Sequence, residues 1–380
     1  MDLSRTEDQE LIAETARELL EARAATAGAR AMAGDPAGHS PALWKEMVEL
    51  GWTGLPFPEE HGGVGGDFVD VCLLFEQLGY AQVPSPLLAS VACCGMPVAR
   101  FGTARQKERW LGAIAEGRIV TAAPLPWDRP GEGPVAARDG DGFVVSGTAS
   151  FVPFAASAEH ILVVALLDGE PRAFWVDASS VTLEPLGTVG WDRPCHVGLP
   201  DVRVPAEAAL GVDEQGTDGQ GTDGQGADER GADAAEAISL FGAAATCAEM
   251  VGAAQRVLDM TVGYAREREQ FGRPIGSFQA VQHHCADMSI DVLGSRFIAY
   301  EAIWLLSAGR DAAQEVSIAK AWVSEAYERV CALGHQVHGA IGFTEEHDLH
   351  LFSRHAMAAS LAFGDGDLHF EVLADRLGLP

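Results

Sequence analysis

Positive charge is scarce in this chain: Lys and Arg number 26 against 55 Asp and Glu, a formal net charge of −29. A nucleic-acid surface must neutralise phosphates, and an acidic protein repels anionic lipid headgroups, so neither partner is expected. No apolar run reaches the length that spans a bilayer. A basic segment leading into a hydrophobic block is also missing. The opening MDLSRTEDQELIAETARELL reads as an acidic amphipathic helix, so no secretory signal and no membrane association are expected, and the location implied is cytoplasmic. The seven cysteines (Cys72, Cys93, Cys94, Cys195, Cys247, Cys285, Cys331) are odd in number and form no C-x-x-C, which favours reduced, buried thiols over disulfides or zinc. G-x-x-x-x-G-K-[ST], G-x-S-x-G and H-E-x-x-H are all absent. His283-His284 and His347…His350 lack Cys or carboxylates at ligand spacing, so no metal site is expected.

What is present is globular. The chain has 380 residues, 47% of them hydrophobic and 21% charged, enough for a sizeable core and two to three domains. Residues 1–118 read as an N-terminal helical domain. Ile12, Ala16 and Leu19 share a helical face, and Gly62-Gly63-Val64-Gly65-Gly66 lies in a loop between helices, outside the strand-then-helix context of a dinucleotide fingerprint. Residues 119–210 turn to short β-branched runs (142–147, 160–167, 173–177, 181–185), as in a small barrel or sandwich. Residues 211–235 form five Gly/Asp-rich pentads with seven acids and one Arg; with little to bury, they read as a flexible acidic linker. Residues 236–380 return to long helices, 240–264, 278–307, 312–337 and 355–377, which suggest an antiparallel bundle. The fold class expected is α+β, mainly α.

Chemistry concentrates in two segments. In Tyr264-Ala-Arg-Glu-Arg-Glu-Gln-Phe-Gly-Arg-Pro-Ile-Gly-Ser-Phe-Gln279, a helix ends, a turn follows and a second helix begins. Arg266, Arg268 and Arg273 gather positive charge there, beside a helix N-terminus, as a phosphate or pyrophosphate site would. The alternative is local pairing with Glu267 and Glu269. The second segment, Gln336-Val-His-Gly-Ala-Ile-Gly-Phe-Thr344, follows a long helix.

R-x-Q-F-G-x-P-I-x-x-F-Q and Q-x-H-G-x-x-G together resemble the acyl-CoA dehydrogenase family of flavoproteins. Asp141-Gly-Phe-Val-Val-Ser-Gly147 and Pro58-Glu-Glu-His-Gly-Gly63 extend the likeness over nearly the whole chain. The resemblance implies an N-terminal helical domain, a middle β-barrel or sandwich domain, a C-terminal four-helix bundle, and a tetramer with FAD at subunit interfaces. It places Arg268, Gln270 and Phe271 at the pyrophosphate and adenine of a neighbour's FAD. Gln336, Gly339 and Ala340 fall at the adenosine end, with Ala340 where the family usually has Gly. Phe151 and Val152 fall against the flavin ring, and Pro153 replaces a Thr that donates to it. Ala122-Ala-Pro-Leu-Pro-Trp-Asp-Arg-Pro-Gly131 replaces the family's T-E-P-x-A-G-S-D. The family's base is a Glu in Y-E-G-T; here Phe363-Gly-Asp-Gly-Asp367 stands instead, which puts Gly364 or Asp365 at that position, Asp367 being the weaker candidate. The family's other base position falls near Gly242.

The activity implied is α,β-desaturation of an acyl-CoA or acyl-carrier thioester: Asp365 takes the α-proton, hydride passes from Cβ to FAD, and an electron-transferring flavoprotein is the acceptor. Two alternatives accompany it. One is a non-catalytic half-site subunit, so that the assembly is a heterotetramer with a related chain rather than a homo-oligomer. The other is a flavin oxidase of the same fold using Asp as base.

Overall fold

The structure is a computed structural model that describes residues 5–24, 30, 32, 35, 37–126, 132–212 and 225–379. It is mostly helical, with a curled mixed sheet between N-terminal and C-terminal helices, as expected for the class. The chain packs as two compact units: Met1–Ala31 with Cys72–Val83 and Ala243–Pro380, and Met32–Val71 with Pro84–Gly242. These units cut across the sequential boundaries at 118 and 236, because the partners that close each core are distant in sequence.

The first unit contains α1 (Glu7–Ala24), most of α3 (Phe68–Ala81) and of α6 (Gln225–Glu267), then α7 (Gln279–Ser307), α8 (Ala313–His338), α9 (Leu349–Leu361) and α10 (Gly366–Arg376). Helices α3 and α6 touch backbone to backbone. A Cβ on Gly79 would lie 1.9 Å from the Glu249 carbonyl oxygen, and one on Gly252 would lie 1.7 Å from that of Glu76. Only glycine permits so close an approach. Beside this crossing the Glu76 carboxylate is buried; it accepts from Arg5 (3.1 Å), Arg296 (2.9 Å) and the Tyr300 hydroxyl (2.7 Å).

The second unit contains α2 (Pro41–Glu49), a π-helical turn Leu88–Gly95 running into α4 (Met96–Phe101), α5 (Ala104–Ala115), and the sheet β1 (Val120–Ala123), β2 (Val135–Asp139), β3 (Gly142–Val152), β4 (His160–Leu167), β5 (Glu170–Asp177), β6 (Thr182–Pro185) and β7 (Cys195–Pro205). Strand β4 lies parallel to β1 and β2 and antiparallel to β5. Its inner residues Ile161–Ala165 are buried on both faces, which is why they read as an unbroken apolar run. Trp110 of α5 stacks on Trp175 of β5 at 3.9 Å, and Gln106 donates to the carbonyls of Glu207 and Ala209, tying the helix to the sheet. The glycine loop has a packing role: a Cβ on Gly63 would lie 2.1 Å from the Phe57 carbonyl oxygen.

Three expectations need correcting. The acidic linker was expected over 211–235, but α6 begins at Gln225, and Ala234 and Ala235 are buried. The pentads at 213–224 lie outside the described residues. Residues 231–267 are long and apolar enough to cross a membrane, and most of that stretch is buried inside the protein, as in a core helix. The last expected helix, 355–377, is two helices: α9 ends at Leu361 and α10 starts at Gly366. Left-handed backbone at Phe363 (φ 58°) and Gly364 (φ 101°) forces the break. All seven cysteines are free, six of them buried. Burial pushes the Cys93 and Cys247 thiols up to about 12, so they are inert.

Candidate cofactor and active site

After α6 the chain makes a miniature hairpin, β8 (Glu269–Gln270) against β9 (Arg273–Pro274). Phe271 (φ 53°) and Gly272 (φ 77°) occupy the two turn positions, the left-handed pair that a tight two-residue hairpin demands. The Ile275 amide donates to the Arg268 carbonyl at 2.8 Å and closes the base. This geometry thrusts Phe271 into solvent, 91% exposed. Arg273 lies over the Phe278 ring at 4.2 Å. Among the described residues, Arg266, Arg268 and Arg273 make no ion pair, so local pairing with Glu267 or Glu269 is not what the structure adopts. Unneutralised guanidinium groups beside an exposed phenyl ring, held on a closed turn, suit a polyphosphate next to a flat heterocycle.

In the same unit, α8 ends at His338 and a 3-10 turn, Gly339–Phe343, leads toward α9. Gln336, Gly339 and Ala340 are all exposed. Gly339 adopts φ 66°, ψ −145°, a region nearly confined to glycine, and a Cβ there would meet nothing within 4 Å. The backbone demands this glycine; the space around it does not. Ala340 has no positive φ, so its methyl group is accommodated without strain.

The helix break carries the candidate base. Asp365 is the N-cap of α10, and its Oδ1 accepts from the Leu368 amide at 2.9 Å. Asp367 is exposed in the first turn of that helix. The flanking carbonyls are pinned: Phe363 by His369 (3.1 Å), Gly364 by the Lys320 ammonium (3.0 Å). Lys320 was not singled out in the sequence. It is wholly buried, and it also donates to Ser324 Oγ (3.1 Å) and to the Ser360 carbonyl at the end of α9 (2.8 Å). Free carbonyls at a helix C-terminus are natural partners for a cation. Burial pulls the Lys320 ammonium down to about 8 and His369 to about 4. The only sequence signal for Lys320 was a charge on the apolar face of an Ala-rich helix.

In the second unit, Phe151 sits at φ 57° in a bulge of β3 and is 60% exposed. Val152 pairs with Cys195 and is fully buried. The Pro153 carbonyl accepts from the buried Thr121 hydroxyl at 2.7 Å. Residues 127–131 of the altered Ala122–Gly131 segment lie outside the described residues.

The donor set therefore fits FAD unevenly. Arg268, Gln270, Phe271, Gln336 and Gly339 are exposed and suited to its pyrophosphate and adenosine. At the flavin-ring segment Pro153 offers no donor and Val152 turns inward.

A two-part helical protein with a curled β module and an exposed arginine hairpin has the architecture and anion-binding chemistry of a flavin-dependent dehydrogenase. The family models "Acyl-CoA dehydrogenase, N-terminal domain" and "Acyl-CoA dehydrogenase, C-terminal domain" match residues 6–118 and 229–378. The chain is 30% identical to the probable acyl-CoA dehydrogenase YngJ of Bacillus subtilis, covering 99% of this chain and 100% of that protein. It is 26% identical to the caffeyl-CoA reductase–Etf complex subunit CarC of Acetobacterium woodii, over 87% and 88% of the two chains. Among solved structures it resembles the ChsE4–ChsE5 complex from Mycobacterium tuberculosis, with a TM-score of 0.89, 29% identity, and 100% and 99% of the two chains covered. The chain belongs to the acyl-CoA dehydrogenase family, FAD-dependent oxidoreductases that act on CH–CH groups.

Proposed function

We propose that this chain is one subunit of a heteromeric acyl-CoA dehydrogenase. In this reading it supplies the pyrophosphate- and adenosine-binding half of the FAD site, and a related partner subunit supplies the base. Bound FAD provides the hydride acceptor. Arg268 and Gln270 hold its diphosphate, Phe271 covers the adenine, and Gln336 with the Gly339 turn orients the adenosine. The observation that carries the reading is the Asp365 carboxylate engaged as a helix cap, Asp365 being one of the two positions, with Gly364, at which the resemblance puts the family's base. Pro153 and the inward Val152 point the same way, and the likeness to the two-protein ChsE4–ChsE5 complex supports it. The likeness to CarC, a subunit of an Etf complex, supports an electron-transferring flavoprotein as electron acceptor. The substrate is an acyl-CoA and the compartment the cytoplasm.

Two measurements test this. Purified alone, the chain should carry well under one flavin per chain by visible absorbance, and co-expression with its partner should restore binding. In the active complex Asp365→Asn should leave turnover within about twofold, since Asn keeps the cap. Asp365→Ala should cost about 1 kcal/mol of stability in urea unfolding through loss of that cap. A full complement of flavin in the lone chain, with collapse of its turnover in Asp365→Asn, would replace this reading with a catalytic homo-oligomer.

A further inference from the structure

The turn after α8 rests on a layer of imidazoles that FAD binding does not itself account for. His338 stacks on Tyr264 of α6 at 4.6 Å and donates from Nδ1 to the Gly334 carbonyl at 2.8 Å. His335 stacks on Phe343 at 4.2 Å and bonds Ser353 through Nε2 at 2.6 Å. His350 donates from Nδ1 to the His347 carbonyl at 2.7 Å. His347 meets the His338 ring edge-on at 4.8 Å and differs from the others: its Nδ1 accepts from the Leu349 amide at 3.1 Å, the first residue of α9. A ring nitrogen that accepts cannot hold a proton. A helix N-terminus also opposes a cation.

We infer that His347 is a positioning residue for the FAD-binding turn. Neutral, it caps α9 and holds Gly339–Phe343 against α8; protonated, it releases Leu349 and sets a cation beside the buried His338 ring, and the turn loosens. The inference rests on the reading of Gln336, Gly339 and Ala340 as FAD contacts. The charges around the ring mostly agree with it. Asp348 favours the cation, but Asp348 is itself held by Arg30, whose guanidinium donates to it at 2.8 Å and also to the Glu345 carbonyl. His350 and Arg30 oppose the cation, burial holds His335 and His338 on α8 toward their neutral forms, and Tyr264 on α6 stacks on His338. Glu345 and Glu346 are exposed on the same turn. Burial, ahead of these charges, pushes His335, His338 and His347 below the ordinary imidazole value. A depressed folded value means that stability from the neutral rings is whole above about pH 6.5 and is lost as pH falls below it.

The test compares wild type with His347→Asn, whose side-chain carbonyl can accept from Leu349 without titrating. Amide exchange of residues 339–349, corrected for intrinsic rates, is measured at pH 8 and pH 5.5, and ADP is titrated into the same samples as a probe of the adenosine-diphosphate half-site. Wild type should exchange up to about tenfold faster at pH 5.5, the ceiling set by the roughly one pH unit between 5.5 and the ordinary imidazole value, and should bind ADP more weakly. His347→Asn should respond to acid several-fold less than wild type in both, on its own pH 8 scale, the remainder coming from His335 and His338, and His347→Gln serves if Asn does not fold. An equal acid response in wild type and variant, or none in wild type, overturns the inference. An exchange response with ADP binding indifferent to it overturns the FAD reading of this turn, and the positioning role with it.

Discussion

Replacing Glu76 with Ala should destabilise the protein by about 3–5 kcal/mol, the cost of removing one partner from a buried charge network. Two guanidinium groups and a phenol converge on this carboxylate, which is only 2% exposed. Burial alone would raise its pKa. Arg296, Arg5 and the Tyr300 hydroxyl outweigh burial and hold it below the ordinary carboxylate value. The network's contribution is therefore present above about pH 4.5 and is lost as pH falls through the lowered value. Without Glu76, the part-exposed Arg296 loses its ion pair and the buried Tyr300 loses its acceptor. Since a whole domain is held by only about 5–15 kcal/mol, the loss should appear as a large fall in urea midpoint. Tyr300→Phe removes one hydrogen bond and should cost about 1 kcal/mol. Equal effects of the two substitutions would mean that the arginines find other partners.

Arg268→Glu should weaken FAD binding in the assembled enzyme by about a hundredfold. A charge-assisted hydrogen bond to phosphate is worth about 1.5–3 kcal/mol, and each 1.4 kcal/mol is tenfold in affinity. Reversing the charge adds repulsion and places the effect at the upper end. The hairpin makes the experiment clean, because Arg268 is exposed and unpaired and its loss unbalances nothing inside the fold. The check is the FAD dissociation constant by flavin fluorescence at two salt concentrations; wild-type binding should be the more salt-sensitive. Unaltered affinity would remove the hairpin from the FAD site.

What could be read from the sequence follows the range of the forces involved. Strand β4 was legible to the residue, because a strand buried on both faces has no alternation to confuse it. Helix α8 was legible because its pattern is local and long. The α9–α10 break was not: Ala, Phe and Leu sustain an apolar helical rhythm across it, and the backbone turns only because Lys320 and His369, far away on the chain or across the break, hold its carbonyls. The arginine hairpin was recognisable from its motif, but whether its cations were free depended on side-chain directions that spacing does not encode. At Phe151 and Val152 a register shift in β3 leaves Phe151 exposed and Val152 buried, and that difference could not be read from the sequence. The division into two units was hidden too, since Glu76 of α3 finds Arg296 and Tyr300 of α7 more than half the chain away.

The crossing of α3 and α6 has a consequence of its own. Each helix brings the same four-residue pattern to it, Glu76-x-x-Gly79 and Glu249-x-x-Gly252, and each glycine lies on the other helix's glutamate carbonyl. The contact is thus a pseudo-dyad within a single chain. A crossing built this way fixes rotation as well as distance, because turning either helix by one residue would drive a side-chain-bearing neighbour into a carbonyl oxygen. It acts as a keyway: α6 can bend along its length, but at this point it cannot spin.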